Sequence, residues 1–316
     1  MSAPPVLRAL APAKINLGLF VGPARELDGR HELVSVMQSI SLADELTLQP
    51  AAGQASEDVI DCAGVPGPPE QNLAARALRE FRSRTGWDAP PRLLRIVKRI
   101  PLAAGLAGGS ADAAATLRLA AADSGLGDEQ LLLQIARGLG ADVPAQVTPG
   151  RWLAGGAGER LTRLPAPRVP FGVLVLPSQA ELSTAAVYAE ADRLGSMRGR
   201  AELERLGREL ASAFQRGEAL PAALELLHND LQRAAVSLLP GVAETLRDAR
   251  AAGAAPALVS GSGPTVLGLF APGRGVAGEG LALARLAATA LGERRPAPAC
   301  AVPVEADYGA PVRVEP

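Results

Sequence analysis

The sequence predicts an α+β fold in two lobes, and three observations carry that expectation. The chain has 316 residues, too many for one comfortable core. Stretches of period-two alternation and of helical period are mixed along it without the regular alternation of a doubly wound parallel sheet. Pro165, Pro167 and Pro170 gather in a connecting segment, after which a fresh apolar strand begins. The expected division is residues 1–165 for a first lobe and 166–316 for a second. Small ligands bind in clefts between such lobes.

Composition narrows the function classes. Hydrophobic residues make up 48% and charged residues 21%, ordinary for a soluble globular chain. A net charge of −1 with no block of basic residues gives no electrostatic footprint for nucleic acid or an anionic membrane. Pro4, Pro5, Arg8 and Lys14 interrupt the N-terminal segment and no apolar run has membrane-spanning length, so a cytoplasmic location is expected. Cys62 and Cys300 lie far apart without metal-ligand spacing and read as inert thiols. His31 and His228 belong to no hydrolase motif. Lys14 and Lys98 are the only lysines among 32 basic residues, and an ammonium is a compact point charge where arginine is a planar fork.

Residues 13–21, AKINLGLFV, alternate as a strand that puts Lys14 and Asn16 on one face. They stand about 6.6 Å apart along it, close enough to reach one ligand, although an exposed edge-strand face fits the alternation equally well. Residues 23–31 read as a loop, 32–48 as a second strand, 72–84 as an amphipathic helix and 92–100 as a strand ending at Pro101. The most informative segment follows, PLAAGLAGGSADAAA over residues 101–115. Gly105, Gly108 and Gly109 let backbone N–H groups approach a bulky anion, and Ser110 is expected to cap a helix that continues through Asp112 to Leu119. Unpaired amides and the positive end of a helix dipole would then face the loop. Pro101, Leu102, Ala103, Ala104, Gly105, Leu106, Ala107, Gly108, Gly109, Ser110 and Ala111 are therefore expected to cradle phosphate.

A helix over 129–139 should stop at Gly138 and Gly140, leaving Asp142 at its exit, and Pro144 should force Val143 out of helical space. On spacing alone, Asp142 reads equally as a turn or capping carboxylate. In the second lobe a strand over 171–176 precedes helices at about 184–194, 201–216 and 221–239 and strands at 257–259 and 265–270. The latter flank Ser260-Gly261-Ser262-Gly263-Pro264, which by itself reads as a hairpin.

No G-x-x-x-x-G-K-[ST] string occurs, so the commonest triphosphatase loop is unsupported. Gly273, Gly275 and Gly278 spell G-x-G-x-x-G, with Glu293 as a nominal ribose partner for a dinucleotide. In a chain with 34 glycines such a match arises readily by chance, and too few residues follow it to finish a dinucleotide fold.

PLAAGLAGGSADAA and VSGSGPT together resemble the GHMP kinases, in the family's order and lobes. PAKINLGLFV followed by DGRHEL, then LGADVP, STAAVY and HNDL, resemble the branch that phosphorylates 4-diphosphocytidyl-2-C-methyl-D-erythritol; together the motifs span Pro12 to Phe270. The resemblance implies a ribosomal S5 domain 2-like first lobe, a ferredoxin-like second lobe, and ATP-dependent transfer to the acceptor's tertiary 2-hydroxyl with Mg²⁺ bridging the phosphates. By position, Lys14 and Asp142 match the catalytic pair, Lys98 a residue beside the adenine, and Gly261, Ser262 and Gly263 a loop that closes on the nucleotide. An ammonium beside a carboxylate favours its ionised form and suits a base in phosphoryl transfer. Asn16, His31 and Thr184 match acceptor contacts, and Tyr188 a ring that stacks on cytosine. The family commonly has tyrosine before that histidine; here Arg30 stands there, and its planar guanidinium could stack on the base instead. A kinase of the same fold with a homoserine, mevalonate or sugar acceptor, a nicotinamide oxidoreductase and a non-catalytic nucleotide binder are the competing readings. Monomer and homodimer are equally open.

Overall fold

A long antiparallel hairpin, β1 (Val6–Ala24) and β2 (His31–Pro50), is the spine of the first lobe in this computed structural model, which describes residues 6–53, 55–273 and 276–314. The chain continues through β3 (Val59–Asp61), α1 (Leu73–Thr85), β4 (Arg92–Val97), α2 (Gly108–Ser124), α3 (Glu129–Leu139), α4 (Val143–Val147), β5 (Arg151–Gly155) and β6 (Arg160–Leu164). The second lobe runs through β7 (Gly172–Leu176), α5 (Thr184–Arg193), α6 (Arg200–Phe214), α7 (Gln232–Leu238), α8 (Gly241–Ala251), β8 (Ala257–Val259), β9 (Val266–Phe270), α9 (Glu279–Ala290) and β10 (Ala299–Ala301), and β11 (Val312–Val314) ends the described chain.

The first sheet has the order β11-β1-β2-β4-β3, with β5 also on β2 and β6 on β5. α1 and α2 pack together and α2 covers one face of the hairpin, while α6 from the second lobe covers the other. That double cover explains why β1 is buried on both faces from Ala11 to Val21, where alternation alone suggests a half-exposed strand. It also removes the edge-strand reading of Lys14 and Asn16, which are 6% and 2% exposed. A Cβ on Gly18 would come within 2.6 Å of the Leu226 carbonyl oxygen, so this strand position needs glycine to let the second lobe approach. One apolar core runs through both lobes, joining Ile15, Leu17 and Leu117 to Leu210, Phe214 and Leu267.

The second sheet is antiparallel in the order β10-β7-β9-β8, and α8 and α9 pack on it. Its β-α-β-β-α-β sequence is the ferredoxin-like arrangement. No helix among the described residues is long and apolar enough to cross a membrane.

Several local expectations need correction. α2 begins at Gly108 behind Ala107, whose φ of 55° is left-handed, so Ser110 sits inside the first turn and caps nothing. Val143 opens α4, with Pro144 in the first turn where its missing N–H costs no bond. A single helix over 221–239 is replaced by a short 3-10 turn at Leu224–Leu226 and the later α7. Between them Asn229 turns back to accept from the Leu231 amide at 2.9 Å, and Asp230 accepts from the Val21 amide at 3.0 Å. The chain, expected to leave the first lobe at residue 165, returns to it when β11 pairs antiparallel with β1.

Candidate active site

The site is built where the two glycine-rich loops meet. Strand β4 ends and the segment up to Ala107 wraps back over β1, with the Lys14 amide donating to Leu106 O at 3.1 Å. Gly105 has φ +71°, and a Cβ there would overlap the Ser260 carbonyl oxygen. Ser260 Oγ donates to Gly105 O at 3.0 Å, and Asn229 Nδ2 holds both Val259 O and Gly261 O at 2.7 Å. The second loop thus closes onto the first and is no isolated hairpin. The amides of Gly108, Gly109 and Ser110 precede the first intrahelical bond of α2, from Ala111 N to Ala107 O at 2.9 Å. A Cβ on Gly109 would have only ordinary contact, 3.7 Å from Leu73, so no neighbour among the described residues requires glycine there.

The loop is clamped from beneath by charge. Lys98 Nζ donates to Asp44 and, at 2.6 Å, to Asp112 on the first turns of α2. Asp44 Oδ1 in turn accepts from the Arg99 and Ile100 amides at 2.5 and 2.8 Å, fixing the strand exit that launches the loop. Burial, with the Asp44 charge beside it, pushes the Asp112 carboxyl up to about 7 against the pull of Lys98. Asp112 Oδ1 is buried without a hydrogen-bond partner among the described residues.

Above the loop, Lys14 Nζ lies 3.5 Å from Asp142 Oδ1. Lys14 is buried, whereas the Asp142 side chain keeps a third of its surface open and makes no capping bond to α4. Asn16 Oδ1 accepts from Lys14 Nζ at 2.9 Å, and its Nδ2 donates to Ser35 Oγ at 2.7 Å. Ser35 Oγ donates onward to Gly18 O, so the chain of bonds fixes where the ammonium points. An acid and an amine held in one cleft beside unpaired amides can take a proton from an alcohol and neutralise an anion.

A cleft of about 670 Å³ joins these parts and is lined by Lys14, Asn16, Arg30, His31, Lys98, residues 101–110, Asp142, Thr184, Tyr188 and residues 261–263. Of the sequence-predicted site residues only Ala111 does not line it; it is buried beneath the loop in the core. At the far end the His31 and Tyr188 rings lie 4.9 Å apart at 40°. Burial, with the negative charge of Asp142 adding to it and Arg30 opposing, pushes the Tyr188 phenol up to about 12. Arg30 Nη2 donates to Ala157 O at 2.7 Å, and Thr184 Oγ1 meets Ser262 Oγ at 3.0 Å.

Sequence reasoning missed Asp44 and Ser35, which touch the site only through tertiary contacts, and gave no role of its own to Ser260 inside the second glycine-rich loop. Asp112 and Asn229 stood inside the quoted motifs without a role. The dinucleotide string fares as expected: Gly275 is outside the described residues, Gly278 precedes α9, and the strand after that helix, β10, pairs antiparallel with β7 where a dinucleotide fold needs a parallel βαβ unit.

Residues 72–150 match the family model for the GHMP kinases N terminal domain, and residues 209–288 that for GHMP kinases C terminal. A 4-diphosphocytidyl-2-C-methyl-D-erythritol kinase from Streptomyces coelicolor is 44% identical over 257 residues, covering 80% of this chain and 84% of that protein. The crystal structure of a 4-(cytidine 5'-diphospho)-2C-methyl-D-erythritol kinase superposes with a TM-score of 0.71 at 33% identity, covering 94% of this chain and 98% of the other. A homoserine kinase from Cytophaga hutchinsonii shares the fold at TM-score 0.68 and 16% identity, over 99% of this chain and 98% of the other.

Proposed function

The chain belongs to the GHMP kinases, and on that premise we propose that it uses ATP to phosphorylate the 2-hydroxyl of 4-diphosphocytidyl-2-C-methyl-D-erythritol, a step of non-mevalonate isoprenoid synthesis in the cytoplasm. The observation that carries the reading is the Lys14–Asp142 pair standing in one cleft between two interlocked glycine loops and an aromatic wall.

The triphosphate tail lies against the amides of Gly108, Gly109 and Ser110 at the positive end of α2, where charge and geometry favour an anion. A side cavity of about 380 Å³, lined by Cys62, Asn72, Lys98, Leu102, Gly109 and Asp112 among others, adjoins the loop and takes the adenine. Lys98 serves it by anchoring the loop through Asp44 and Asp112. The acceptor hydroxyl attacks the γ-phosphorus as Asp142 takes its proton; the bond to the bridging oxygen breaks and ADP leaves. Lys14 neutralises charge on the phosphoryl group in flight, so catalysis is mainly positioning and electrostatics.

Mg²⁺ fits the donors present. The Ser110 hydroxyl offers a hard oxygen to the cleft beside the amides at the start of α2, and among the described residues no group of three His, Cys, Asp or Glu could hold an ion. Ser110 would bind it together with phosphate oxygens, leaving the Asp142 carboxylate free as the base, and the ion would supply neutralisation of phosphate charge. The cytidyl end meets Tyr188, His31 and Arg30; the guanidinium, tethered to Ala157 O, offers a planar cation to the base.

Coupled release of ADP measured with the cytidyl acceptor and with homoserine, mevalonate and a hexose tests the reading. Turnover with the cytidyl acceptor alone is expected; turnover with another member and none with the cytidyl compound would replace it. Gly105→Ala is expected to raise the KM for ATP about tenfold or more, since a strained backbone costs about 1–3 kcal/mol and the added methyl drives the loops apart. Unchanged ATP kinetics in a folded Gly105→Ala variant would remove the loop contact from the account.

A further inference from the structure

Three residues of α5 stand four apart, Thr184, Tyr188 and Asp192, and so share one face of the helix. Thr184 meets Ser262, Tyr188 packs on the His31 ring, and Asp192 reaches the same ring from the side, with Oδ1 and Oδ2 at 3.0 and 3.2 Å from His31 Nε2. His31 opens β2 in the first lobe, so this contact crosses the cleft. Its side chain is 11% exposed, against 51% for Asp192. Nothing among the described residues bonds to its other nitrogen, Nδ1, and the residue lines the cleft.

A carboxylate only accepts, so the nitrogen it touches must carry the hydrogen. A neutral imidazole has one N–H, and the opposite nitrogen is then left with a lone pair. The geometry points to Asp192 as a positioning residue that holds His31 in the Nε2–H tautomer, so that Nδ1 is an acceptor for an amino group on the acceptor's base. This rests on the cytidyl reading for the identity of the base, but not for the tautomer. Cytosine carries an exocyclic amine where uracil carries a carbonyl; an accepting Nδ1 therefore favours the first and repels the second. Asp192 would act on specificity and not on the transfer itself, since the Lys14–Asp142 pair is built from other elements.

The test is Asp192→Asn, whose amide can accept from or donate to Nε2 and so no longer selects the tautomer. Nitrogen-15 NMR of histidine-labelled protein, with the neutral ring, reads the tautomer directly. The chain has two histidines, and His228→Asn assigns the signals. The parent is expected to show protonated Nε2 and bare Nδ1 at His31, and the variant a mixture. Kinetically, Asp192→Asn should raise the acceptor KM by the inverse of the Nε2–H fraction that remains, about twofold for an even mixture, with kcat and the KM for ATP little changed, and should lower the preference for the cytidyl over the uridyl acceptor. An Nδ1–H ring in the parent, or an unaltered tautomer, acceptor KM or preference in the variant, would overturn the assignment. Failure of the functional reading looks different: the parent turns over no cytidyl acceptor, while the NMR result still decides what Asp192 does to the ring.

Discussion

Asp142→Asn lowers kcat by about 10² to 10⁴-fold and leaves ATP binding in place, as expected when a general base is lost. The substitution keeps shape but removes the carboxylate's charge, and with it both the capacity to take a proton and the ion pair with Lys14. It does so at a position whose side chain makes no capping bond to α4, so the helix loses nothing. A third of the carboxylate's surface is open to the cleft, which is the direction from which an alcohol must come. Steady-state turnover, nucleotide titration and thermal unfolding of the same preparation separate chemistry from binding and stability. A variant that folds, binds ATP and turns over at the parent's rate would dismiss Asp142 from the reaction.

Lys14→Met should cost about 10² to 10³-fold in kcat, the scale of losing one preorganised charge partner at a transition state. Methionine nearly fills the volume of the buried stem, so packing survives. Asn16 Oδ1 loses its donor, and a buried acceptor left alone costs about 1–3 kcal/mol. That stability loss is measurable apart from kcat. Because the ammonium and the carboxylate act as a unit, the double variant Lys14→Met with Asp142→Asn is expected to be only about tenfold worse than the poorer single variant. Full multiplication of the two losses would mean that each acts alone.

Much of this site is legible in the residues before any coordinates. Period two puts Lys14 and Asn16 on one strand face, and glycine at 105, 108 and 109 marks a backbone that must come close to something. What alternation could not show is that Asn16 bonds Lys14 itself, because that depends on Ser35 arriving from the neighbouring strand. Nor does spacing place Asp142 beside Lys14, 128 positions earlier; α4 packed between α2 and α3 does that. The expected Ser110 cap fails because Ala107 turns left-handed and starts the helix sooner, which leaves the Ser110 hydroxyl to the cleft. Local signals were weakest where short strands gain their partners late in the chain. β10 and β11 carry only three residues each and exist because β7 and β1 offer them an edge.

The account stands on one geometry, an alcohol held between the Asp142 carboxylate and a phosphate tail lodged against the amides at the start of α2. A crystal structure with a non-hydrolysable ATP analogue and the cytidyl acceptor measures it directly. The account predicts the acceptor's 2-hydroxyl within about 2.6–3.2 Å of an Asp142 oxygen and in line with the terminal phosphorus. An acceptor bound with that hydroxyl turned from Asp142, or a triphosphate lying away from Gly108, Gly109 and Ser110, would contradict it.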